Sequence, residues 1–120
     1  MKKILLVEDN EANIYLMEFL LRKNGFDVTV AKTAKEGINY AFSESFDLIL
    51  MDIQLPDMDG LEAVRKIRKS EKGNRIPIVA VTSYAMTGDR EKAISAGCSG
   101  YIEKPINPET FVKEIQKFIF

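Results

Sequence analysis

Five short apolar runs recur along the chain: Ile4–Val7, Val28–Ala31, Leu48–Met51, Ile78–Val81 and Tyr101–Ile102. Each is almost continuously apolar instead of alternating. Strands with that pattern are buried on both faces, as in parallel sheets covered by helices. Between the runs, apolar residues fall at helical spacing. The first such stripe is Ile14, Met17, Leu20 and Leu21, with Gly25 as a stop at C′. The second is Ala34, Ile38, Ala41 and Phe42; the third is Leu61, Val64, Ile67 and Arg68, with Gly73 beyond it. The fourth is Met86, Ala93 and Ile94, closed by Gly97, and the last is Phe111, Val112, Ile115, Phe118 and Ile119.

Strand and helix alternating along the whole chain imply successive right-handed βαβ units. Five strands are too few for an eight-stranded barrel. The expected fold is therefore α/β, an open, doubly wound, five-stranded parallel sheet with helices on both faces. A length of 120 residues suits one domain, residues 1–120. In such folds, sites form at the carboxyl ends of the strands.

Composition removes several kinds of chemistry. The chain has no His, which excludes Ser-His-Asp and Cys-His machinery and any zinc site built on imidazole. Its one cysteine, Cys98, allows no intrachain disulfide and reads as a small buried hydrophobe. A lone thiol fits a reducing, cytoplasmic setting. No apolar run approaches the roughly 20 residues needed to cross a bilayer. Glu8, Asp9 and Asn10 cut the first run short, so it reads as a strand and not a signal peptide. Lys plus Arg number 17 and Asp plus Glu 18, a formal charge of -1. No global attraction to nucleic acid or to a membrane is expected from that balance. Arg65, Lys66, Arg68, Lys69, Lys72 and Arg75 cluster on and after the third helix, but without interleaved aromatics they read as a solvated face. Asp57 and Asp59, beside Gly60, read as turn and helix-start residues.

The strand ends carry the chemistry. Glu8 and Asp9 follow the first strand, Asp52 ends the third, Thr82 and Ser83 end the fourth, and the fifth runs into Lys104 and Pro105. Three carboxylates gathered on one rim repel each other by several kcal/mol. A divalent cation relieves that repulsion, and oxygen-only ligands specify a hard ion such as Mg²⁺. Metal, ammonium and hydroxyl around a carboxylate suit stabilisation of a transferring phosphoryl group, with Asp52 as nucleophile.

The segments Leu5-Leu-Val-Glu-Asp-Asn10, Leu48-Ile-Leu-Met-Asp52, Leu55-Pro-Asp-Met-Asp-Gly60, Ile78-Val-Ala-Val-Thr82 and Tyr101-Ile-Glu-Lys-Pro105, in this order, resemble a CheY-like receiver domain of two-component response regulators from end to end. The resemblance is strongest to stand-alone DivK-like receivers and to receivers of hybrid kinases. It implies a flavodoxin-like (βα)5 sandwich and a phosphorelay function. Asp52 matches the phospho-acceptor, Asp9 the direct metal ligand and Glu8 the second acid. Gln54 falls where a backbone carbonyl binds the metal. Thr82 matches the hydroxyl that engages the phosphoryl group, Lys104 the phosphate-binding lysine, and Tyr101 the aromatic that turns inward when Thr82 moves. Lys104-Pro105 matches a bond that is cis in many receivers. The acid pair is Glu-Asp here where Asp-Asp is commoner. Gln54 and Tyr84 occupy positions that tune dephosphorylation.

Rival phosphate chemistries fit poorly. A haloacid dehalogenase phosphatase needs an acid two residues after the nucleophile, where this chain has Gln54. A flavodoxin's phosphate loop would be repelled by Glu8 and Asp9. No GxxxxGK[ST] motif is present. With no His, the donor is expected to be a sensor histidine kinase, a histidine phosphotransfer protein or a small phosphodonor. With no output domain in these residues, the expected readout is a protein partner meeting the face of the fourth helix, fifth strand and fifth helix. The alternative reading is a receiver-like interaction module that works without phosphorylation.

Overall fold

In the computed structural model, residues 1–83 and 88–119 are described. Five strands, β1 (Lys3–Val7), β2 (Asp27–Ala31), β3 (Leu48–Asp52), β4 (Ile78–Thr82) and β5 (Gly100–Glu103), form one parallel sheet in the order β2-β1-β3-β4-β5. Helices α1 (Glu11–Lys23), α2 (Ala34–Ser43), α3 (Gly60–Arg68), α4 (Asp89–Ala96) and α5 (Phe111–Gln116) alternate with them. Each apolar run of the sequence became a strand, extended by one residue or two at its ends.

The central strands β1, β3 and β4 alternate between two cores. Leu5, Val7, Ile49, Met51, Ile78 and Ala80 point to the side covered by α2, α3 and α4. Ile4, Leu6, Leu48, Leu50, Val79 and Val81 point to the side covered by α1 and α5. A strand wanted by both cores cannot carry a polar residue, and this is the physical origin of the unbroken apolar runs.

Local signals fix where the helices begin and end. The Asn10 side chain accepts from Asn13 N at 3.0 Å and caps α1, and Thr33 does the same for α2 through Glu36 N at 3.1 Å. Past the Asn24 C-cap, Gly25 takes a φ of 87°, the left-handed position that the sequence assigns to it. Two residues of the expected stripes face outward instead: Phe42 is 47% exposed and Ile94 48%. The buried side of α2 is made by Ala34, Gly37 and Ala41, which let the helix lie close against Val7 and turn Phe42 away. On α4 the sheet is met by Ala93 and Ala96. Met86 and Tyr84 lie outside the described residues.

The strand order reverses its direction of growth between β1 and β3. A crevice opens at such a switch point, beyond the carboxyl ends of the two strands.

Candidate functional site

Glu8 enters the crevice because the β1 ladder continues one residue past the strand, with Glu8 N donating to Ala31 O at 2.9 Å. Its side chain is fully buried. The backbone N–H of Asn10 donates to Glu8 Oε2 at 3.2 Å, folding the Glu8-Asp9-Asn10 turn onto itself ahead of α1. Asp9 remains exposed. Asp52, the last residue of β3, is buried, and its Oδ1 accepts from Gln54 N at 3.0 Å. One carboxylate oxygen each from Glu8, Asp9 and Asp52 lie within 4.8 Å of one another.

Lys104 reaches the same place from β5. Its backbone N–H donates to Thr82 O at 2.8 Å, and the Lys104-Pro105 bond that follows is cis, as the resemblance implies. Lys104 Nζ stands 2.8 Å from Glu8 Oε1 and 3.4 Å from Asp52 Oδ1. No donor meets Glu8 Oε1 with hydrogen-bonding geometry among the described residues, so its contact with the ammonium is Coulombic. One ammonium against three carboxylates leaves the site anionic. The consequence falls on Asp52, whose pKa is pushed up to about 7. Burial is the first cause, followed by the hydrogen bond and charge of Glu8; the Gln54 amide and Lys104 act in the other direction.

The start of α3 braces the end of β3. Gly60 N donates to Ile53 O at 2.8 Å, and a Cβ at Gly60 would collide with the Asp52 carbonyl oxygen. Only glycine allows that approach. Asp59 caps its own helix by accepting from Leu61 N at 2.8 Å. Asp57 does not serve the helix beside it. Its carboxylate accepts from Ala34 N at 2.8 Å and Lys35 N at 3.0 Å, capping α2 instead. Those amides hold its pKa below the usual carboxylate range. No signal local to Asp57 announces a partner so far away in sequence.

The structure thus gathers Glu8, Asp9, Asp52, Gln54 and Lys104 around one pocket, joined by Ser83, whose hydroxyl donates to Gln54 Oε1 at 2.9 Å. Thr82 is buried at the end of β4 but lines a neighbouring cavity of about 150 Å³ with Asp89 and Lys92. Tyr101 lies beside Ala80 in the ladder, two residues before Thr82, and packs half-buried against the core under α4. Burial raises its hydroxyl pKa, and Asp89 and Glu103 add to the effect. Cys98 is buried, and its thiol is pushed up to about 11 by that burial, in keeping with a packing role.

The donor set suits a hard divalent cation, since among the described residues the clustered ligand atoms are carboxylate oxygens and the buried Glu8 Oε1 lacks a hydrogen bond.

Comparison with known proteins agrees with the geometry. The response regulator receiver domain family matches residues 4–116. Hybrid signal transduction histidine kinase I of Dictyostelium discoideum is 45% identical over 122 residues, covering 95% of this chain but only 7% of that protein. The polar-differentiation response regulator DivK of Brucella abortus is 38% identical over 118 residues, covering 98% of this chain and 96% of DivK. Among solved structures, the receiver domain of the sensor histidine kinase PA1611 from Pseudomonas aeruginosa, with a magnesium ion coordinated in its active site cleft, is 39% identical with a TM-score of 0.90. That match covers 98% of this chain and 96% of the PA1611 domain. With the fold, the acidic crevice and these relatives in agreement, the chain belongs to the response regulator receiver domains of two-component systems.

Proposed function

We propose that Asp52 accepts a phosphoryl group from a phosphohistidine on a sensor kinase or a phosphotransfer protein, and that this switches protein contacts. The observation that carries the reading is Asp52 itself, a buried strand-end carboxylate crowded by Glu8 and reached by Lys104 Nζ at 3.4 Å. In the transfer, an Asp52 carboxylate oxygen bonds to phosphorus as the bond from phosphorus to the imidazole nitrogen breaks. The electron pair of that bond returns to the imidazole, which takes a proton from solvent. Glu8, Asp9 and Asp52, with the carbonyl of Gln54, would hold Mg²⁺, as the PA1611 receiver holds magnesium in its cleft. Bound there, Mg²⁺ supplies positive charge to the phosphoryl oxygens and favours the ionised Asp52 nucleophile.

Lys104 then exchanges partners. Its ammonium, now on Glu8 at 2.8 Å, turns to a phosphoryl oxygen. The Thr82 hydroxyl swings from its own cavity to donate to another. Tyr101 follows toward the space behind Thr82 and remodels the surface of α4, β5 and α5, where a downstream protein is read. The chain has no helix long and apolar enough to cross a membrane among the described residues.

Acetyl phosphate with Mg²⁺, followed by intact mass, tests the reading. Wild type should gain one phosphoryl group and Asp52→Asn none. Equal labelling of the two would place the acceptor elsewhere, and no labelling of wild type from any phosphodonor would leave an interaction module.

A further inference from the structure

On the face of the molecule between α2 and α3 lies a groove of about 680 Å³ that plays no part in the chemistry at Asp52. Ile38 and Met58 floor it, both half-buried against the core, and Phe42 stands 47% exposed at its side. Phe42 is the residue that the close approach of α2 to the sheet turns outward. Lys35, Lys66 and Lys69 rim the groove, and none of the three has a carboxylate partner within 4.0 Å among the described residues. The single acid in the lining, Asp57, already has its two oxygens on the amides of Ala34 and Lys35. The groove is therefore apolar at its centre and positive at its edge.

The basic cluster of the sequence divides here. Arg68 is half-buried and engaged, its guanidinium donating to the carbonyls of Gly97, Gly73 and Ile76. Lys66 and Lys69 stay exposed and face the groove. A nucleic acid would need an extended basic stripe, whereas this groove is lined by three lysines, Lys35, Lys66 and Lys69, around an apolar floor. A membrane surface would need a convex apolar patch; this one is concave. A concave apolar floor with lysines at its rim is complementary to a peptide whose apolar residue enters the groove while flanking carboxylates meet the lysines.

We propose that the α2–α3 groove is a docking site for an acidic peptide segment of a partner protein, anchored by one apolar side chain between Phe42 and Met58. Lys35, Lys66 and Lys69 set the orientation and the rate of encounter, and Ile38, Phe42 and Met58 supply the buried contact. This surface lies apart from both the acceptor crevice and the α4–β5–α5 face, so occupancy of one does not block the other.

A random dodecapeptide display library, panned on wild type and on a Lys66→Glu/Lys69→Glu variant, tests the assignment. Clones enriched on wild type should place Asp or Glu around one apolar residue and should not be enriched on the variant. The best clone, synthesised as a free peptide, should shift the amide signals of Ile38, Asn39 and Met58. Its affinity should fall about tenfold in the double variant and in Phe42→Ser, and should weaken with added salt. Both lysines are exposed, and melting curves with Asp52 labelling by acetyl phosphate check that each variant remains folded; should the charge reversal disturb the fold, Lys66→Gln/Lys69→Gln replaces it. Absence of enriched clones, clones without acidic bias, affinity indifferent to the lysines, or shifts confined to other faces would each overturn the proposal. Tighter binding of duplex DNA or of phosphatidylglycerol vesicles through the same lysines would overturn it as well.

Discussion

Arg68 is half-buried and the Glu8–Asp52 pair buried, yet the surroundings of these ionisable groups are opposite. The Arg68 guanidinium donates to Gly97 O at 2.8 Å, to Gly73 O at 2.9 Å, to Ile76 O and to Ser99 Oγ at 3.3 Å. It stitches the end of α3 to the loops that enter β4 and β5, and its donors are nearly all used. At the other end of the strands, Glu8 Oε1 has no hydrogen bond among the described residues, and the pKa of the Asp52 carboxyl is pushed up to about 7. A charge kept for structure is saturated by fixed dipoles. A buried carboxylate left short of partners is what the proposed chemistry needs, since a cation or a phosphoryl group would then supply or demand them.

That contrast can be broken most sharply at Arg68. Arg68→Met keeps much of the stem and orphans three carbonyls, so urea unfolding should show a loss of about 3 kcal/mol. Acetyl phosphate should still label Asp52 in whatever fraction remains folded. An unchanged urea midpoint would mean that the loops find water as readily as they find the guanidinium.

The acidic rim should respond to a ligand that Arg68 ignores. Millimolar Mg²⁺ should raise the melting temperature, with a gain of roughly 2.7 kcal/mol at 100 times its dissociation constant. Asp9→Ala should remove most of the gain, and Arg68→Met should keep it. A melting curve indifferent to Mg²⁺ would leave the rim without the counter-ion its charges call for.

A smaller effect follows from protons. In EDTA, the folded protein holds a proton on Asp52 up to about pH 7, whereas the unfolded chain releases it near the ordinary value of 3.8. Between those limits the folded state binds more protons, so stability falls as pH rises. The steepest slope should approach about 1.4 kcal/mol per pH unit between roughly pH 5 and 6. Urea midpoints across that range should fall in wild type and stay flatter in Asp52→Asn, which is then the more stable protein at neutral pH. Parallel slopes would show that the burial of Asp52 is not felt as a charge penalty.

The smallest response is conformational. Beryllofluoride with Mg²⁺ should move the amide signals of Tyr101 and of α5 in wild type, and much less in Thr82→Ala, although both bind the mimic. Equal movement in the two proteins would mean that the signal reaches Tyr101 by a route other than the Thr82 hydroxyl.

The two regions also differ in how legible they are in sequence. The acidic rim could be read because each of its residues follows an apolar run, and the runs declare their own strands. The architecture was readable for the same reason: β1, β3 and β4 are claimed by two cores, so nothing polar interrupts them. The Arg68 staple could not be read. Three of its partners are carbonyls, which have no sequence signature, and they lie up to 29 positions away. Periodicity placed Arg68 on the third stripe without saying that its head would turn inward. Periodicity also put Phe42 and Ile94 in the core, because it measures angle around a helix but not how close small residues such as Gly37 and Ala41 bring that helix to the sheet. Asp57 sits in the turn expected of it, but the helix it caps was not legible, since a capping carboxylate looks the same in sequence whichever amide it serves.

Asp57 has one further consequence, a practical one. Its carboxylate fastens the loop that follows Asp52 to the first amides of α2, at Ala34 and Lys35. Those two amides belong to residues outside the acidic cluster of Glu8, Asp9 and Asp52, yet any movement of the loop changes their hydrogen bonds. In a solvent-exchange experiment they act as a strain gauge wired to the loop after β3 from a neighbouring helix. An observer watching Ala34 and Lys35 alone could follow the events at Asp52 without placing a probe in the crevice where they occur.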